Sequence, residues 1–250
     1  MKSKHFFKIF VVIFINLGIA SCQPAVPAQL QLQLYFQQQA LDCQRSFLLA
    51  GQQWQLSQLQ LYLADFQLNG QPALLHTDEQ TPWQQQRLAL LGTDCQSDGQ
   101  WQLKFAGPLP KGELTFVLGV PDDLNHQNPL TAASPLNQSD MFWSWQGGHK
   151  FFRLELKSAA DGWALHLGST GCQSASVLRP PAVPCAQPNR ARFSLPYQGE
   201  KVLALDLALL LADFTPTAQH NCMSDTLRQS CQLLLPRLLK ENSDLWHLKP

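Results

Sequence analysis

The chain has no excess of either charge. It carries 18 basic and 18 acidic residues, with only 14% charged side chains, and no dense run of Lys and Arg. Runs of that kind hold a phosphate backbone, so a nucleic-acid partner is set aside. Gly-x-Ser-x-Gly, a P-loop and His-Glu-x-x-His are missing as well. The common hydrolase and nucleotide-binding chemistries go with them, and the chain is not read as an enzyme. No Cys-x-x-Cys occurs, which argues against a zinc-thiolate site. No His-x-His or His-x-x-x-His occurs either, so spacing alone announces no metal. Stretches of helical period are nearly absent.

The beginning of the chain has a different character. Met1 to Lys8 carries three lysines, and Ile9 to Ala20 is apolar except for Asn16. A basic start, a short apolar run and the small residues before Cys22 describe a secretory signal over 1–21, too short to cross a bilayer as a permanent helix. Cleavage before a cysteine fits the bacterial lipoprotein pattern, with Cys22 as the lipidated residue. Gln23 in place of an aspartate fits delivery to the outer membrane. Loss of Lys2, Lys4 and Lys8 moves the balance to 15 basic against 18 acidic. Residues 22–28, with Pro24 and Pro27, read as a tether, and 29–250 as one domain long enough to bury its own core.

Short alternating runs fill that domain. Gln29 to Phe36 alternates glutamine with Leu30, Leu32, Leu34 and Phe36, the pattern of a half-buried strand. Leu56 to Leu68 stops at the turn dipeptide Asn69-Gly70, across which a strand pair is expected. Arg87 to Leu91, Trp101 to Phe105, Gly112 to Val120, Lys150 to Leu156, Ala191 to Leu195 and Lys201 to Leu207 continue the pattern. In Lys150 to Leu156 the alternation puts Phe152, Leu154 and Leu156 on one face and Phe151, Arg153 and Glu155 on the other. Asp225 to Lys240 reads as a short amphipathic helix interrupted at Pro236; Phe47 to Gly51 and the tail give no clear signal. The fold class is all-β, a disulfide-stapled antiparallel β-sandwich with long functional loops. The longest loop, Pro121 to Asp140, is of a length that marks function or disorder, and its place before a tryptophan pair favours function.

Cys22 aside, six cysteines remain. An even count in an exported chain argues for disulfides. Among the many connectivities the sequential one is expected: Cys43 with Cys95, Cys172 with Cys185, Cys222 with Cys231. The last two close short loops at little entropic cost, and the first constrains the unfolded chain most.

Two segments stand out. Pro135 to Leu156 reads PLNQSDMFWSWQGGHKFFRLEL, and His166 to Cys172 reads HLGSTGC. One residue separates Trp143 from Trp145, so on an extended chain both indoles face one side. With Gly119-Val120-Pro121, Leu124-Asn125-His126 and the block from Trp83 to Leu91, this ordered set resembles the MbnP family, the four-Cys protein of the metallo-mystery pair, over roughly Gln31 to Cys231. The resemblance implies an envelope copper-binding protein acting in copper sequestration. Its implied partner is a di-haem c-type protein of the MauG or cytochrome c peroxidase kind, which oxidises a tryptophan, in some members to kynurenine.

The resemblance also selects residues. Taken singly, each histidine reads as a surface or hydrogen-bonded structural group. Family context raises His126 and His166 to copper ligands. His149 stands where the family more often has an aromatic, so it is either an extra ligand or a replacement at a sheet surface, the second being favoured. Trp83, Trp143 and Trp145 are the candidates for oxidation; Trp54, Trp101, Trp163 and Trp246 read as core. An indole offers a metal no lone pair at neutral pH, whereas kynurenine has an aniline nitrogen and a carbonyl oxygen. Gly168 to Gly171 reads as a turn, and Asp122, Asp123 and Asp140 as solvated. Two rivals stand: a Trp-bearing substrate of a di-haem peroxidase with no metal, and a structural or carbohydrate-binding sandwich with Trp143 and Trp145 as its platform.

Overall fold

The structure is a computed structural model that describes residues 26–241 and 243–250. The expected signal, Cys22 and most of the tether lie outside these residues. Strand β1, Gln29–Phe36, buries Leu30, Leu32, Leu34 and Phe36 and turns its glutamines outward. It hairpins into β2, Gln39–Leu41. Strand β3, Ser46–Leu49, hairpins into β4, Gln52–Leu68, the longest element at 17 residues. Asn69-Gly70 then returns the chain as β5, Gln71–Pro72, as the dipeptide predicts. β6, Gln84–Gln85, leads into β7, Leu88–Thr93, and β8, Gln102–Lys104, precedes β9, Gly112–Leu118.

One helical turn, α1, Asp122–Asn125, opens the long loop. β10, Phe142–Ser144, and β11, Gly148–Lys157, follow it. Then come β12, Gly162–Gly168, β13, Ala191–Tyr197, β14, Val202–Asp206, and a turn of helix α2, Leu207–Leu210. β15, Cys222–Met223, α3, Gln229–Leu238, and β16, Trp246–Lys249, end the chain.

Two sheets result. The larger runs β13-β9-β4-β11-β12-β15, with the short strands β3, β5, β7 and β10 also pairing to it; the smaller runs β16-β14-β1-β2, with β8 on β1. Between them lies one apolar cluster that reaches from Leu30 to Trp246 and includes Trp54, Phe105, Phe116, Phe152 and Phe193. Trp246 stands edge-on to Phe116 at 5.3 Å. Each fully buried aromatic or leucine removes enough surface from water to stabilise by about 1.5–3 kcal/mol, so this cluster holds the layers together.

The all-β class stands, with the three expected disulfides, Cys43–Cys95, Cys172–Cys185 and Cys222–Cys231, all formed. The sheets are mixed rather than wholly antiparallel. β1 runs parallel to β14, and β12 parallel to β15, because each pair is joined through long intervening chain that returns to the same end. The tail, unreadable in the sequence, is the edge strand β16 on β14. Pro236 does not interrupt α3. It sits in the last helical turn, where the lost N–H removes one bond near an end that frays in any case. In β11 a register shift lies between Lys150 and Phe152, and Phe151 is fully buried as is Phe152. Strict alternation had placed Phe151 with Arg153 on the outer face.

Candidate metal centre

His126 is positioned by the turn before it. Pro121 fixes the backbone at the start of α1, and the amides of Leu124 and Asn125 donate back to its carbonyl at 2.9 Å. Asn125 is thereby driven inside, 1% exposed, and its amide organises three segments. Its Oδ1 accepts the His149 amide at 2.9 Å, its Nδ2 donates to Ser169 Oγ at 3.2 Å, and the same Nδ2 lies 3.3 Å from His126 Nε2. Gly148, at φ +75°, is required here, since a Cβ would stand 2.6 Å from Asn125 Oδ1.

The His126 ring has a defined tautomer. Nδ1 lies 3.2 Å from the Trp145 carbonyl, an acceptor, so the proton sits on Nδ1 and Nε2 keeps its lone pair. Burial holds the imidazole below its ordinary pKa and outweighs that hydrogen bond and the charge of Asp122, which act the other way. Cys185 Sγ stands 3.7 Å from Nε2. Among the described residues, the one set of three or more ligand-type side chains with donor atoms within 4.8 Å of one another is His126, Cys172 and Cys185. Its two sulfurs are joined as a disulfide.

His166 occupies a different setting. It is opposite Arg153 in the β11–β12 ladder and so faces outward, away from Leu165 and Leu167 in the core. Its Nε2 meets Glu155 Oε1 at 2.9 Å; Glu155 Oε1 also accepts from Arg153 Nε at 2.7 Å, and Arg153 reaches Asp140 at 3.2 Å. The His166 hydrogen bond, followed by Arg153, brings the Glu155 carboxyl down to about 2 against the desolvation of the site. With Nε2–H given to a carboxylate, Nδ1 is the free donor atom, the arrangement by which carboxylates orient metal-binding imidazoles. Met223 of β15 is the direct partner of His166 in the parallel ladder, so its thioether projects from the same face. The sequence reading missed Met223; its only signal was adjacency to Cys222, which says nothing of pairing with β12.

The tryptophans separate. Trp143 packs against β12 at Gly168, where a Cβ would come within 2.6 Å of Trp143 Cζ3. His166 is two residues back along the same face. Trp145 lies in the turn after β10 and stands edge-on to Phe142 at 5.9 Å. The strand ends at Ser144, so the two-residue alternation that would set the indoles side by side stops short of Trp145. Trp83 sits elsewhere, its indole N–H donating to the Gln102 carbonyl at 2.8 Å and Lys104 Nζ lying 5.2 Å over its ring.

His149 differs from its expected place at a sheet surface. It is fully buried, with Nδ1 2.7 Å from the Asn125 carbonyl and Nε2 3.1 Å from that of Leu136. Both nitrogens face carbonyls, which leaves no open lone pair for an ion; its work is to pin the long loop to β11. His76 pairs with Asp78 at 2.7 Å and His220 with the Thr215 carbonyl at 2.9 Å, both away from this centre.

A family model, MbnP, matches residues 25–224. The chain belongs to the MbnP family. Among solved structures, MbnP from Methylosinus trichosporium is similar over 87% of this chain and 91% of its own, with a TM-score of 0.72 at 23% identity. That likeness bears on the fold. No curated protein sequence matches the chain. For this MbnP-family chain, the two histidines singled out by motif lie in separate settings: His126 is grouped with Cys172 and Cys185, and His166, bonded to Glu155, is not in that group. Trp145 fixes His126 through its carbonyl, and Trp143 packs at Gly168, two residues from His166. No helix among the described residues is long and apolar enough to cross a membrane.

Proposed function

We propose that this protein binds copper in the cell envelope, with His126 and His166 as its principal ligands, and that Trp143 is the residue a di-haem partner oxidises. One observation carries the reading: within the segment Trp143–Trp145, the Trp145 carbonyl holds His126 and the Trp143 ring packs at Gly168, two residues along β12 from His166. A chemical change at Trp143 is therefore felt where an ion would bind. The donors suit copper. Nδ1 of His166 is left free by the Glu155 hydrogen bond, Nε2 of His126 keeps a lone pair that accepts from the Asn125 amide at 3.3 Å, and the Met223 thioether adds a soft group of the kind monovalent copper selects. Conversion of Trp143 to kynurenine adds an aniline nitrogen and a carbonyl oxygen at Gly168, two residues from His166.

Of the three tryptophans, Trp83 fits least, because a cation over its ring opposes the positive charge that oxidation creates. Trp143 packs against β12 rather than standing free, which disfavours an open sugar platform. The role is that of a binding protein, and Cys22 is its lipid anchor, facing the periplasm or cell surface from the outer membrane. The test is metal analysis and tryptophan peptide mapping of protein made together with its di-haem partner. About one copper per chain, an oxidised Trp143, and loss of copper in both His126→Ala and His166→Ala are expected. Copper retained in both variants, or neither copper nor oxidised tryptophan in the native protein, overturns the reading.

A further inference from the structure

We infer that reduction of Cys172–Cys185 creates a second metal site, in which the two thiolates and His126 Nε2 hold a thiophilic d10 cation. The inference shares His126 with the copper reading but needs neither His166 nor an oxidised tryptophan. Of the three disulfides, Cys222–Cys231 is sealed in the core, its cysteines 0% and 1% exposed, and Cys95 Sγ faces a backbone carbonyl. Cys172–Cys185 alone abuts an imidazole.

While the sulfurs are bonded to each other they carry no charge and are poor donors. The state that binds metal is the thiolate. Conversion follows thiol–disulfide exchange with a dithiol reductant: a reductant thiolate attacks one sulfur, the protein S–S bond breaks, and the reductant closes its own disulfide. Two electrons and two protons pass to the protein, leaving two thiols. Binding the cation then releases those two protons to solvent.

The geometry is nearly that of a finished site. Ligand bonds of ~2.3 Å to sulfur and ~2.0–2.1 Å to nitrogen set nitrogen and sulfur about 3.6–3.8 Å apart around one ion, and Nε2 and Cys185 Sγ are already 3.7 Å apart. The proton on Nδ1 is committed to Trp145, so Nε2 presents its lone pair and has to release only the 3.3 Å hydrogen bond from Asn125 Nδ2. The two sulfurs must also separate. The chain between the cysteines is mostly exposed, with Val177, Leu178 and Val183 turned to solvent, and offers little resistance. At its neck, Thr170 and Gln187 exchange two backbone hydrogen bonds of 2.9 and 3.0 Å, and Ala186 donates to Gly171. That neck keeps the cysteines within one ion's reach after the covalent bond is gone. Gln146 donates to the Cys172 carbonyl at 2.8 Å, which fixes the other wall.

The mature chain is treated with a mild dithiol, its thiols are mapped by alkylation and mass, and Zn2+ is then titrated against a competing chelator. Two new thiols, at Cys172 and Cys185, and one Zn2+ per chain absent from the oxidised protein are expected. His126→Ala should weaken this binding by more than about tenfold, while His166→Ala should leave it intact, which separates this site from the copper site above. Co2+ in the reduced wild type should give sulfur-to-metal charge-transfer absorption, a readout that needs no variant to fold. Equal Zn2+ binding before and after reduction, no charge-transfer band, or unfolding before Cys172 and Cys185 become reactive overturns the inference.

Discussion

Gly168 shows how far one side chain is constrained by the centre. A Cβ there would meet Trp143 Cζ3 at 2.6 Å and the His149 carbonyl at 2.9 Å. The first neighbour is a ring and the second is backbone on a buried strand, so neither yields cheaply. Gly168→Ala is expected to cost about 1–3 kcal/mol by overpacking and to displace Trp143. Thermal unfolding with peptide mapping checks both effects; an unchanged midpoint with unchanged oxidation contradicts them. Glu155 makes a second prediction. Its carboxyl is depressed to about 2 from its ordinary 4.5, so its contribution to stability is present above pH 4.5 and is lost as the pH falls through about 2. Glu155→Gln should flatten that part of the unfolding profile and weaken copper binding about 10–100-fold by releasing the His166 ring. Matching acid profiles for variant and wild type would refute the assignment.

At the scale of elements, the loop from Pro121 to Asp140 carries the argument. Its length and its His126 could be singled out in the sequence, and the reason it is ordered could not. Order comes from groups far apart in sequence: Asn125 bonds to His149 and Ser169, Tyr62 donates to the Pro135 carbonyl at 3.1 Å, and Leu136 and Met141 are fully buried. Asn125→Ala leaves the buried amide of His149 and hydroxyl of Ser169 short of a partner, which is expected to cost about 1–3 kcal/mol. Added to Ser169→Ala, it should cost less than the sum, because the two share one bond; strict additivity in denaturant unfolding would argue against that bond. The strands show the same division. Gln29 to Phe36 was legible because water on one face and core on the other impose period two. The burial of Phe151 and the edge strand Trp246–Lys249 were not, because a bulge against β12, 15 to 18 residues away, and an edge pairing with β14, 41 to 47 residues away, are not encoded in any local period. Met223 is a further instance, its place beside His166 depending on a parallel pairing that no local pattern encodes.

For the whole molecule, the buried histidines set a pH window distinct from that of Glu155. Burial, the largest influence, holds His149 below its ordinary 6.5, against its two carbonyl hydrogen bonds and with a small push in the same direction from His126. His126 is held down by burial in the same sense. In the unfolded chain both imidazoles take up protons near 6.5, while in the folded chain they stay neutral to lower pH. The unfolded state therefore binds more protons just below pH 6.5, and stability rises with pH through this range and falls as acid is added. His149→Phe keeps a ring in the cavity but removes the titrating nitrogens. It is expected to cost about 1–3 kcal/mol at pH 8 through its lost hydrogen bonds and to lose part of the slope below pH 6.5, the remainder belonging to His126. Glu155→Gln should leave that slope alone and change the slope of the profile only below pH 4.5. Unfolding midpoints of the two variants and the wild type from pH 2 to 8 decide the matter. Two separate losses, one per variant, place each group in its window. A His149→Phe profile parallel to the wild type throughout would mean that the imidazole binds its proton equally in the folded and the unfolded chain, against the downward shift that burial gives it.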